Sequence, residues 1–212
     1  MRVLRIIVCA VLAFQCVSCS GQVANQRTSQ RDGTPLRVEE MAGGPVVTNL
    51  GYGIQVNKGS TLQRRWYVLN DDSAPLQVSQ TGVNTIYESR QYSGDYRFRI
   101  AGSATSKEPL AAYEIRFLLF DVFGQHLRTL SATQVSDCTG QFALKDMSWY
   151  AGENDVSELL TVVSFVAHAR TPDGRIWSYD TGKLLHEIER IKVKLTEKEL
   201  VPDKERTKKS AE

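Results

Sequence analysis

Tyr96-Arg97-Phe98-Arg99-Ile100 puts a ring or an aliphatic chain at every second position and a guanidinium between. Strand side chains point alternately to two faces, so this stretch has one buried face and one wet face. The same pattern extends outward from it. Arg65-Trp66-Tyr67-Val68-Leu69 and Leu160-Thr161-Val162-Val163-Ser164-Phe165-Val166 are dense in β-branched and aromatic residues, which suit a pleated, half-buried surface. Strands are predicted at 46–50, 52–56, 63–70, 76–80, 84–88, 96–101, 112–121, 127–132, 147–150, 159–169 and 175–179. Turn chemistry separates them: the polar cluster Asn70–Pro75, the Pro172-Asp173-Gly174 hairpin signal, and Val122-Phe123-Gly124, where glycine can take positive φ. Short strands at about 8–12-residue spacing, not alternating with long helices, argue for an antiparallel sandwich over a parallel α/β sheet.

The flanks differ in character. Leu184, Ile188, Ile191 and Leu195 recur at helical spacing, and Thr181 stands where a cap belongs. One amphipathic helix over 181–200 is expected to pack on the sandwich; the alternation in Ile191-Lys192-Val193-Lys194-Leu195 also reads as a last strand. Residues 201–212, almost all charged or small, read as a disordered tail, and 19–45, polar and rich in glycine and proline, as a flexible tether. The domain proper is then 46–200.

At the other end, Arg2 and Arg5 precede the apolar run Ile6–Phe14, and Val17-Ser18-Cys19-Ser20-Gly21 follows. A charged start, a short apolar middle and small residues at the exit describe an export signal over 1–18. The run is shorter than the ~20 residues of a membrane-spanning helix. Val17, Ser18 and Cys19 resemble the lipobox of bacterial lipoproteins, with Cys16 where that motif usually has leucine. The resemblance implies diacylglyceryl on the Cys19 thiol and a chain held to a membrane by acyl groups, several of which anchor stably where one does not. Ser20 in place of aspartate leans toward an outer membrane or the periplasmic side. Cleavage after Ser20 or Gly21 by ordinary signal peptidase is the competing reading and gives a secreted or periplasmic form.

Setting Arg2 and Arg5 aside leaves 24 basic residues against 24 acidic ones. Such balance argues against nucleic acid as partner, since its binders carry clustered positive charge. Cys9, Cys16 and Cys19 belong to the leader, so Cys138 stands alone in the domain, either as a small buried side chain or as a thiol for an intermolecular contact. No internal disulfide is available, and the apolar core must hold the fold.

No catalytic residue is nominated. His126, His168 and His186 have no metal-ligand spacing. His168 reads as an outward or hydrogen-bonded strand residue facing opposite Ala167. No Gly-x-Ser-x-Gly elbow occurs, and Gly51-Tyr52-Gly53 lacks the third glycine of a phosphate loop. Glu153, Asp155 and Glu158 lack calcium-loop spacing and read as a solvated acidic turn. No metal or cofactor is expected. The candidate binding residues are aromatic: Trp66, Tyr67, Trp149, Tyr150, Trp177 and Tyr179. Alternation sends Trp66 and Tyr67, and Trp149 and Tyr150, to opposite faces, so one of each pair is expected in the core and the other more exposed. Exposed rings can stack sugars or anchor an interface; tryptophans also simply fill sandwich cores.

Phe117-Leu118-Leu119-Phe120-Asp121 resembles the Phe-x-Leu-Tyr-Asp signature of the FxLYD domains, with Phe120 in the tyrosine position. Ile100-Ala101-Gly102 upstream and Val122-Phe123-Gly124 downstream extend the likeness over Tyr96–Asp180. The resemblance implies an immunoglobulin-like sandwich in an exported bacterial protein, with Phe117, Leu119 and Phe120 packing and Asp121 serving the turn. It implies no catalytic residue. The expectation is therefore a non-catalytic binding protein of the cell envelope, reaching an unidentified protein or glycan partner through a sheet face, a strand edge, or a loop end formed by Asp71–Ala74, Gly124–His126 and Glu153–Val156. A carbohydrate- or peptidoglycan-binding module is the alternative, a cell-wall enzyme a more distant one.

Overall fold

A computed structural model of the chain describes residues 27–28, 36–49, 53–56, 59–91 and 93–202. The leader with Cys19 and residues 203–212 of the expected tail lie outside the described residues.

The chain is mainly β. Its strands are β1 (Arg27–Thr28), β2 (Leu36–Pro45), β3 (Val47–Asn49), β4 (Ile54–Val56), β5 (Gln63–Asp71), β6 (Leu76–Ser89), β7 (Gly94–Phe120), β8 (His126–Ala143), β9 (Met147–Ala151), β10 (Thr161–Arg170) and β11 (Ile176–Ser178). Two helices, α1 (Glu153–Glu158) and α2 (Thr181–Arg190), and a 3-10 turn at Glu197–Leu200 complete the described elements. Nine strands form one curled sheet in the order β1-β2-β5-β10-β7-β6, with β8 and β9 also on β7 and β11 on β10; β3 and β4 pair separately. Every pairing is antiparallel except β5 with β10. The wholly antiparallel arrangement expected from the sequence is corrected at that pair. Tight turns force antiparallel neighbours, but β5 and β10 are far apart in sequence and free to run the same way.

β7 is the spine. Its first half lies between β6 and β9, its second between β10 and β8. Tyr96, Phe98, Ile100 and Ala104 face one core, and Tyr113, Ile115, Phe117 and Leu119 face the same core from odd-numbered positions. A period-2 strand changes parity only through an inserted residue. The pairing with β8 shifts register between Ser106 and Leu110 and again between Leu110 and Ala112. Pro109, which has no N–H for the ladder, sits in the first of these irregularities. The sheet curls across this region and encloses the inner core. The sequence therefore reads as two strands, 96–101 and 112–121, where one long bent strand exists.

The opposite face of β2, β5, β10 and the end of β7 carries a second core: Tyr67, Leu69, Leu118, Phe120, Val163 and Phe165. Leu184 and Ile188 of α2, 2% and 1% exposed, cover it, and Val193 and Leu200 extend the cover. Burying each such side chain contributes roughly 1.5–3 kcal/mol. The helix is shorter than 181–200. Asp180, not Thr181, is its N-cap, accepting from Lys183 N at 2.9 Å. Lys192 at φ 66 follows the C-cap Ile191, and a left-handed residue there ends a helix. The alternative strand at 191–195 does not form.

Two segments read from the sequence as a flexible tether and a solvated turn contain regular structure. Residues 36–45 of the expected tether are β2, paired with β5 from Leu36↔Asp71 to Pro45↔Gln63. Its glycines serve packing: a Cβ on Gly43 would lie 2.6 Å from the Trp66 indole, and Gly44 has φ +80. The acidic turn at 153–158 is helix α1. The Asp155 carboxylate accepts from Gly152 N at 3.2 Å, and Val156 is fully buried.

Candidate functional site

The six candidate aromatics do not form one stripe. Trp66 and Trp149, each 8% exposed, face the inner core, and Trp177 packs on its rim with Nε1 donating to Ser73 Oγ at 3.3 Å. Tyr67 is in the outer core, also 8% exposed, so neither member of the Trp66–Tyr67 pair faces solvent: α2 covers the face where Tyr67 points. Tyr179 is half-buried against Phe165, edge to face at 5.0 Å. Tyr150 alone among the six is exposed, at 47%.

The expected loop end is also divided. Thr161 of β10 is level with Arg65 at the start of β5 and with Phe120 at the end of β7. The Asp121–Gln125 turn and α1 thus lie at one end of the strands, and the Asp71–Ala74 turn lies at the other.

Tyr150 belongs to a sheet face that α2 does not cover. The pairings Ile86↔Arg97 and Arg97↔Tyr150 form one row across β6, β7 and β9, and Asn84↔Arg99 and Arg99↔Ser148 form the next. The Arg97 guanidinium lies 4.1 Å from the Tyr150 ring centroid and pairs with Glu88 at 2.6 Å. Arg99 forks onto Asp146 and holds that carboxyl below the usual carboxylate range. Cation over ring and forked ion pair both fix side chains on an otherwise open surface.

Beside this row is a slot. β8 and β9 both pair with β7 on the same side, and the curl brings the start of β8 back toward β9. Thr129, Ser131 and Thr133 on one bank face Met147, Ser148 and Trp149 on the other, around a volume of about 460 Å³ with Pro202 at its margin. Arg128 Nη1 bridges the banks to the Tyr150 carbonyl. Among the described residues neither bank has a second strand partner, so two strand edges flank one groove. Unpaired edges accept an extended chain through main-chain hydrogen bonds. Ser131 Oγ donates to Glu114 Oε1 at 2.9 Å and Ser148 Oγ accepts from Arg97 Nη1 at 3.4 Å, so both hydroxyls are tied to β7, while the Trp149 ring gives the slot an apolar wall. No motif in the sequence marks Arg128 or Ser131. The only trace is the alternation of Thr129, Ser131 and Thr133 with Leu130 and Ala132.

No family model, curated protein or solved structure matches this chain.

A second cleft, of about 210 Å³, lies under the C-terminal end of α2, lined by Glu40, Arg65, Tyr67, Glu187 and Arg190. Four of its charged groups pair with one another, Arg190 Nη1 donating to both Glu187 oxygens at 3.0 Å and Arg65 lying 3.6 Å from Glu40, and Lys192 also lines it. Burial pushes the Tyr67 phenol up from its ordinary value. This cleft ties helix to sheet. His168 is hydrogen-bonded, to Ser178 at 2.9 Å, but a bulge between Val166 and His168 alters the simple alternation with Ala167. Cys138 is half-buried, its Sγ 3.4 Å from the Ser136 carbonyl. Among the described residues no three His, Cys, Asp or Glu side chains are grouped to hold a metal, and no helix is long and apolar enough to cross a membrane.

Proposed function

We propose that this chain is an exported binding protein of the bacterial cell envelope, held by lipid on Cys19, that grips an extended segment of a protein partner in the slot between β8 and β9. The observation that carries the reading is the pair of strand edges facing one another across that slot. An added strand that displaces Arg128 from the Tyr150 carbonyl gains main-chain hydrogen bonds from the banks and covers the edge of the inner core at Trp149 and Leu130. The leader residues Arg2–Cys19 support export and anchoring. The likeness to an immunoglobulin-like FxLYD domain is part of the same proposal. It is supported by the full burial of Phe117, Leu119 and Phe120 and by Asp121 Oδ1, which accepts from Phe123 N at 2.8 Å and Gln125 N at 2.7 Å. The reading is one of binding rather than catalysis, because the charged groups nearest the slot are engaged with one another or with the backbone.

Tyr150, exposed beside Arg97, favours a second reading, a glycan stacked on that ring. Two variants separate the readings. Ser131→Tyr fills the slot and gives up the Ser131–Glu114 hydrogen bond, and Tyr150→Ala removes the exposed ring; neither residue belongs to a core. Capture of an envelope protein lost in Ser131→Tyr but kept in Tyr150→Ala supports strand binding. Retention on insoluble peptidoglycan lost only in Tyr150→Ala supports the glycan. A partner profile unchanged in both variants overturns the placement of the site.

A further inference from the structure

Phe123 is the most exposed large apolar side chain among the described residues, at 82%. It is not on a loose loop. Asp121 Oδ1 accepts from Phe123 N and Gln125 N, Gly124 N donates to the Asp121 carbonyl at 3.1 Å, and Lys194 N donates to the Gly124 carbonyl at 2.9 Å. The ring is thus presented on a braced tip beside the exposed side chains of Lys192 and Lys194.

The direction of the chain gives this tip a partner. β1 pairs with β2 as Arg27↔Val38 and Thr28↔Arg37, and β2 runs from the Asp71 end of β5 to its Gln63 end. The N-terminal end of β1 therefore points toward the end of the sheet that carries Phe123. Val38 is level with Leu69, four residues along β5 from Arg65, which is level with Phe120. At about 3.3 Å per residue the tip lies on the order of 20 Å from the level of Arg27. Eight residues from Cys19 to Arg27 span at most about 28 Å.

We propose that the Phe123 tip docks into the phospholipid surface to which Cys19 is anchored. This rests on the lipid-anchor reading above. One phenyl ring is too little to hold a free protein to a bilayer. On a tethered domain its insertion is intramolecular and needs only to favour one orientation. Lys192 and Lys194 then face lipid phosphates. Both ends carry acidic residues, Glu153, Asp155 and Glu158 of α1 at this one and Asp71, Asp72 and Asp173 at the other, so the exposed ring and the direction of the chain, not net charge, single out this tip.

The test uses the full chain purified from membranes and reconstituted in vesicles of phosphatidylethanolamine and phosphatidylglycerol, with and without brominated acyl chains. Two variants each add a reporter: Phe123→Trp at the tip and Ile176→Trp, 63% exposed, on β11 near the other end. Emission of F123W above the wild-type background is expected to shift to the blue and be quenched by brominated lipid, while that of I176W is not. Mass spectrometry of the same sample reports the acyl groups on Cys19. An acylated chain with an unquenched F123W reporter overturns the docking and leaves the anchor standing. A chain without acyl groups overturns both. Equal quenching of both reporters overturns the fixed orientation.

Discussion

Arg64 illustrates how one side chain can hold an architecture. It is 4% exposed and pairs with no carboxylate among the described residues; its guanidinium donates to the Val156 carbonyl at 2.8 Å, the Leu159 carbonyl at 3.0 Å and Thr85 Oγ1 at 3.2 Å. It thereby clips the end of α1 to β5 and β6. Burial pushes its pKa down to about 10, so it is still a cation at neutral pH. Arg64→Ala orphans two buried carbonyls and is expected to cost roughly 2–4 kcal/mol in urea unfolding. Arg64→Lys should recover part of that loss, because an ammonium reaches fewer of the three acceptors. Tyr113 makes a pH-dependent contribution. Burial, then the nearby Cys138, pushes its phenol up from 10.0 to about 12. A raised folded pKa means stability that is intact below pH 10 and lost as pH rises toward 12, because the unfolded chain ionises first. Tyr113→Phe should flatten that alkaline loss in a denaturation series, and an unchanged slope would count against it. At this scale the sequence was legible where alternation was clean, as at Phe98 and Arg97. It was silent on Arg64, because nothing local distinguishes a buried arginine from an exposed one.

Among the elements, α2 was foreseeable and β2 was not, for physical reasons. The period of Leu184 and Ile188 is written locally. The residues of β2 become a strand because Leu36 and Val38, 7% and 4% exposed, complete a core contributed by distant residues. The glycines that suggested a tether are there for the close approach of Trp66 and for a positive φ. Ile188→Ala should cost about 2–4 kcal/mol through the cavity it leaves under the helix. Lys192→Gly should raise stability by about 1 kcal/mol, since a left-handed residue with a Cβ stores that much strain. Both are read as shifts in the thermal or urea midpoint. A destabilised K192G would show that the lysine side chain contributes more than its backbone costs. The long spine β7 was read as two strands because Gly102, Pro109 and the polar residues between carry no alternation. Their role is the phase change that bends the sheet.

Across the whole molecule, two halves of one sheet curl on β7, a helix closes the outer face on one side, and a slot remains where β8 and β9 fail to meet. Of the candidate aromatics, only Trp149 and Tyr150 lie at that slot and the face beside it. The seam was not legible in the sequence, because it arises from the curl and not from any local pattern. The most direct test places a photoreactive side chain at Ser131 or Ser148 on the banks of the slot, and at Ile176 and Gln63 as exposed controls away from β8 and β9, in the protein exported in living cells. The account predicts a discrete cross-linked partner from Ser131 and Ser148 on irradiation and none from Ile176 or Gln63. Cross-links of equal yield from all four positions, or from the control positions alone, would contradict it.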